Sequence, residues 1–146
     1  VKISKKAEYA LHTILYLSRH FGEARRLSGL AEVQGVSKDY LAKVMQKLSA
    51  AGIVTAQPGF GGGYRLAQAP ADISLADILR EFEEPRGAFI CLHRTRDCEV
   101  FPDCALIERI QDAVEVFYRE LEKTSFEEIL KNEQVEQALP SWLLGN

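Results

Sequence analysis

Apolar residues in the first half of the chain recur at helical spacing. Ala7, Ala10, Leu11, Ile14, Leu15 and Leu17 follow Ser4, a predicted N-cap, and Gly22 predicts the end of this helix near His20. Its other face carries Lys5, Glu8, His12 and Arg19. A second, short helix is predicted from a Ser28 cap to Gly35. After a tight turn, Ser37 caps a third, in which Leu41, Val44, Met45 and Leu48 form a +3, +4, +7 stripe that runs on to Gly52. Two helices joined by a short glycine-bearing turn form a helix-turn-helix pattern. Residues 53–56 are β-prone, 58–63 must turn, and 64–66 read as the returning strand. The predicted fold is therefore mostly α with a small β-hairpin wing, a winged helix.

Pro70 and Asp72 mark a boundary. Ser74 then caps a helix from Leu75 to about Glu83, with Asp77 at the capping-box position, and Pro85-Arg86-Gly87 breaks it. A loop precedes a long helix from about Cys104 to Lys123. Ile107, Ile110, Val114, Phe117 and Leu121 recur there at alternating +3 and +4 steps, the seam of a two-helix coiled coil. Packing on its own domain is the plainer reading. The acidic opposite face and the completeness of the preceding domain favour a dimerisation helix. Thr124 or Ser125 caps a last short helix through Leu130. The predicted organisation is a winged-helix domain over 1–84, a cysteine-bearing sensor loop over 85–103, a dimerisation helix and a short helix over 104–131, and a tail over 132–146, where Trp142, Leu143 and Leu144 hint at docking.

A composition 47% hydrophobic and 27% charged supports a buried core and argues against wholesale disorder. No apolar run approaches the roughly 18 residues needed to span a membrane. The first residues lead into an amphipathic pattern rather than a signal-peptide core, so a cytoplasmic location is expected. The net charge of −3 argues against a nucleic-acid partner until its distribution is read. Residues 1–67 hold 10 Lys/Arg against 4 Asp/Glu, a balance of +6; residues 68–146 hold 8 against 17, a balance of −9. The basic half, which contains the helix-turn-helix, suits a polyanion.

A recognition helix must offer donors to bases and phosphates. Lys38, Tyr40 and Lys43 are candidates for base or phosphate contact, Gln46 for a base edge, and Lys47 for phosphate. Gly61 and Gly62, with few side chains around them, let the wing backbone approach DNA closely, with Arg65 beside it. The glycine run lacks the form of a nucleotide-phosphate loop and sits between two strands. Nothing assembles a nucleophile with a base and its orienting group, so no enzyme is expected.

Cys91, Cys98 and Cys104 are the cysteines, spaced C-x6-C-x5-C. A disulfide would leave one over. The gaps are longer than the C-x2-C of zinc fingers, and iron–sulfur clusters accept wider ones. An iron–sulfur cluster, zinc, a thiol switch and inert thiols all remain open on spacing alone.

The opening Lys2-Ile3-Ser4 through Ala10-Leu11, the wing Gly61-Gly62-Gly63-Tyr64-Arg65-Leu66 and the three-cysteine loop before a long helix together resemble the Rrf2 family of transcription regulators over about residues 1–131. The resemblance implies a homodimer that binds double-stranded DNA. It also implies a [2Fe–2S] or [4Fe–4S] cluster on Cys91, Cys98 and Cys104 that controls operator binding in response to redox state, nitric oxide or iron–sulfur status. In one branch a histidine three residues after the third cysteine completes the cluster; here that position is Ile107. The resemblance then implies Glu8 first and His12 second as the completing ligand, donated by the partner subunit from one face of the first helix. His93, inside the loop, is the rival. The alternative is a metal-free winged-helix regulator controlled by a protein partner or by thiol oxidation.

Overall fold

A computed structural model describes residues 2–83, 99–100, 103–132 and 141. Helix α1 spans Lys5–Arg19, α2 Leu27–Gln34 and α3 Lys38–Ala50. Strands β1, Val54–Gln57, and β2, Gly63–Leu66, follow, then a 3-10 turn over Pro70–Asp72. Helices α4, Leu75–Phe82, α5, Ala105–Glu122, and α6, Phe126–Lys131, complete the described elements. The fold is mostly α-helical with one antiparallel hairpin, as the periodicities predict. The break at 85–87, Cys91, His93, Cys98 and the tail's Trp142, Leu143 and Leu144 lie outside the described residues.

The caps explain most boundaries. The Ser4 side chain accepts a hydrogen bond from the Ala7 amide at 3.2 Å, and Ser37 accepts one from the Tyr40 amide at 3.2 Å. Ser74 with Asp77 and Ser125 with Glu128 form reciprocal capping boxes. The predicted Ser28 cap is corrected: α2 starts one residue before it, with Arg26 as an N-cap that makes no side-chain bond. The reason is tertiary. Arg25 exchanges two 2.8 Å backbone hydrogen bonds with Tyr64 of β2, so the chain leaves this bridge straight into the helix.

The hairpin pairs Val54 with Leu66 and Thr55 with Arg65, which turns Val54 and Leu66 into the core and leaves Thr55 and Arg65 exposed. The main core gathers Ile14 and Leu17 of α1, Leu30 of α2, and Leu41, Val44, Met45 and Leu48 of α3. Val54, Leu66, Ile73, Ile78 and Phe126 complete it. Thr13, fully buried, joins α1 to α2: its hydroxyl donates to the Tyr9 carbonyl and accepts from the Gln34 amide nitrogen, both at 2.7 Å.

Helix α5 packs on its own chain at one seam position, Val114, and leaves Ile107, Ile110, Phe117 and Leu121 partly exposed. Val114 and Tyr118 are buried against Ala7, Ala76 and Leu79, with Ile110, Phe117 and Leu121 at the margin. The small side chains Ala7 and Ala76 leave an apolar trough between α1 and α4 that Val114 and Tyr118 of α5 enter. The outward side of α5 still exposes Leu106 and Val116. Burial, reinforced by the charge of Glu83, raises the Tyr118 phenol above its usual range, so it packs as a neutral group beneath the Arg80 guanidinium at 4.7 Å. Helix α6 then returns to α1 and the 3-10 turn. No described helix is long and apolar enough to cross a membrane.

Candidate nucleic-acid interface and cysteine site

Burying Leu41, Val44, Met45 and Leu48 fixes which side of α3 faces outward. Helical spacing then puts Asp39, Lys43, Gln46 and Ala50 in one outward row, and all four are exposed, as is Lys38. Lys38, Lys43 and Gln46 are therefore free to meet a ligand. Tyr40 and Lys47 have partners within the chain. The Tyr40 ring is half-buried, edge-on to Tyr9 at 5.6 Å, and the Lys47 ammonium lies 5.2 Å from the centre of the Phe82 ring. Asp39 was not singled out by sequence. Its place in the first turn stabilises the helix end, and a carboxylate there can also accept a hydrogen bond from the cytosine amino group.

At the wing, Gly61 is exposed and Arg65 points outward from β2. Gly62 is buried, and a side chain on it would run into the Gln57 carbonyl, so hairpin closure requires glycine there. Gly63 is held equally tightly: a Cβ would strike the Arg25 carbonyl. The structure adds two basic residues to this end. Arg26 is exposed with its guanidinium 5.9 Å from the Phe60 ring centre. Arg25 stacks over Tyr16 at 5.9 Å, donates to the His20 imidazole at 2.9 Å and pairs with Glu23. The Arg25-Arg26 pair was visible in the basic half of the sequence, but nothing local says that it borders the wing.

Cys104 is the cysteine that the described residues include. It is the N-cap of α5, half-buried, in no disulfide among the described residues, and makes no side-chain capping bond. The residue borders an open groove of about 270 Å³ lined also by Asp103, Ile107, Glu108 and Gln111. Ile107 thus stands at the position that the family resemblance marked for a completing histidine, and it offers no ligand atom. The Asp103 and Glu108 carboxylates, which the sequence reading passed over, share the groove. Glu8 is exposed and His12 half-buried, four apart on α1. Among the described residues no group of three or more His, Cys, Asp and Glu side chains is assembled to hold a metal ion, so these two do not join Cys104 within the described chain. In donor chemistry, three thiols, one on a half-buried cysteine outside the core, fit an iron–sulfur cluster.

Comparison with known proteins places these features in context. Residues 3–132 match the Rrf2 family model, described as an iron-dependent transcriptional regulator. The chain is 27% identical over 136 residues to the HTH-type transcriptional regulator NsrR of Bacillus subtilis, covering 92% of this chain and 93% of that one. Among solved structures it is similar to IscR of T. potens, with a TM-score of 0.72, 27% identity, and 99% and 97% of the two chains covered. It is also similar to CymR, the global cysteine regulator of B. subtilis, with a TM-score of 0.68, 31% identity, and 90% and 97% covered.

Proposed function

The chain belongs to the Rrf2 family of DNA-binding transcriptional regulators, and from that premise we propose that it binds a two-fold symmetric operator as a homodimer whose affinity is set by the cysteines of residues 91–104. The observation that carries this reading is the placement of Cys104. Cys104 borders a groove at the head of α5, and α5 is packed through Val114 and Tyr118 onto α1 and α4 of the DNA-binding unit. Chemistry at the thiol that shifts the start of α5 biases how α1, and with it α3 and the wing, are held. A second subunit meets the outward side of α5, where Leu106 and Val116 are exposed.

Thiol oxidation, or a protein partner at the same loop, is the form of control favoured by the half-buried, non-core position of Cys104 and by the likeness to a cysteine regulator. The second form is an iron–sulfur cluster, [2Fe–2S] or [4Fe–4S], favoured by the family's iron-dependent description and by the likeness to IscR. In that form Cys91, Cys98 and Cys104 hold the cluster, and Glu8 or His12 of a second copy completes it, with His93 as the rival. The cluster would supply a redox-labile group whose loss the DNA-binding unit senses.

Protein purified without oxygen separates the two. A visible chromophore lost in Cys104→Ala identifies the cluster; a colourless protein whose thiols disappear on peroxide treatment identifies the thiol form. In either form, oxidation is expected to change operator affinity about 5- to 150-fold, and Cys104→Ala to abolish that change while DNA binding persists. An oxidant response that survives Cys104→Ala refutes control through this residue.

The DNA-reading assignment makes a separate prediction. Lys43→Ala should weaken binding to all duplexes alike and lower the slope of log affinity against log salt by about one. Gln46→Ala should instead reduce the preference for operator over random duplex, by about 1–3 kcal/mol. Competition binding at several salt concentrations reads both. Identical effects from the two substitutions would show that this row of α3 does not face the bases.

A further inference from the structure

We propose that Phe60 is an apolar wedge which the wing presses into the minor groove of duplex DNA, partly unstacking a base step. This rests on the regulator reading above and extends it to a residue to which no role has been given. Phe60 is fully exposed, at 103% of its reference area. A lone exposed aromatic is by itself ordinary. Its setting is not.

The Gly62 amide donates to the Gly59 carbonyl at 3.0 Å, which closes a tight turn with Phe60 at its first corner. Gly61, at φ 75°, supplies the left-handed third position that a type II turn requires. Gly62 is locked against the Gln57 carbonyl, so the turn is anchored close to its tip. The ring is therefore carried on a defined corner with glycines on both sides and nothing bulky to keep a nucleic-acid backbone away. Arg26 stands over the ring at 5.9 Å, and Arg65 is exposed on the adjoining strand. An apolar group with a guanidinium over it and a second basic residue on the adjoining strand matches a minor groove, where phosphates line the rim and a hydrophobic side chain can enter between base pairs and kink the duplex. A membrane surface or a protein groove would call for more apolar area than a single ring offers.

Phe60→Ala tests the wedge, because a fully exposed side chain contributes nothing to the core and the variant should melt with the unmodified protein. The probe is the tightest duplex that the unmodified protein recovers from a random-sequence pool, labelled at both ends with a donor and an acceptor dye. Phe60→Ala is expected to weaken binding about 5- to 100-fold. It should leave the salt slope unchanged, since no charge is removed. It should also abolish the approach of the duplex ends that the unmodified protein causes. Phe60→Leu, which keeps an apolar wedge, should retain most of the bend. Arg26→Ala should instead lower the salt slope. Unchanged affinity and unchanged bend in Phe60→Ala overturn the wedge while leaving the regulator intact. If the unmodified protein recovers no duplex at all, the regulator reading falls, and the wedge with it.

Discussion

Gly63→Ala is expected to unfasten the wing and lower DNA affinity more than tenfold, with a stability loss of about 2–4 kcal/mol. Gly63 adopts φ 145°, a conformation that side chains rarely take, and its Cβ would strike the carbonyl of Arg25. That carbonyl cannot retreat without cost. It accepts the Tyr64 amide at 2.8 Å, while the Arg25 amide donates back to the Tyr64 carbonyl at 2.8 Å. Relieving the clash breaks the bridge that ties β2 to the start of α2, so the hairpin loses its registration against the helix-turn-helix. Thermal melting and duplex-binding titrations read the two effects. Gly29→Ala is the control: nothing lies within 4 Å of the added Cβ, and the position is inside α2. There the substitution should stabilise by about 0.5–1 kcal/mol. A Gly63→Ala protein that melts and binds DNA like the unmodified one would mean that the wing is not held by this bridge.

Phe126→Ala carries the largest expected loss of stability, about 3–5 kcal/mol. The ring is 1% exposed and lies within the main core, with Ile14 and Ile73, although it comes from the last described helix. Around it the backbone is stitched to the α4 approach. The Phe126 amide donates to the Ile73 carbonyl at 3.0 Å, and the Leu75 amide to the Thr124 carbonyl at 3.1 Å. The end of α5 is thereby fixed to the DNA-binding unit, so this variant should both melt earlier and respond less in DNA affinity to a change at Cys104. Denaturant unfolding gives the first readout and binding before and after oxidation the second. Destabilisation with the full oxidant response intact would show that the signal travels through the α5 contacts with α1 and α4 alone.

The element pattern was legible because it depends on interactions within a few residues. The 3.6-residue apolar stripes of α1 and α3, the Ser37 cap, the Ser74–Asp77 box and the glycine-rich turn act through local geometry, and each appears where the residues place it. The outward row of α3 follows the same way, since burying Leu41, Val44, Met45 and Leu48 leaves Lys43 and Gln46 no other side. What depended on distant partners was not legible. Ser28 is a good cap residue, yet the Arg25–Tyr64 bridge starts α2 ahead of it. The α5 stripe has the period of an intermolecular seam, and period alone cannot say whose surface it meets. Ala7 and Ala76, 69 positions apart, make the trough that takes Val114 and Tyr118. Tyr40 and Lys47 have the chemistry of DNA contacts, and that Tyr9 and Phe82 lie alongside them was set by the packing of α1 and α4. The sequence by itself determined the winged-helix elements and the presence of three closely spaced thiols, because covalent order and local sterics suffice for both. Tertiary packing alone decided that Arg26 stands over Phe60 and that α6 closes the core, because each needs segments remote in the chain to meet.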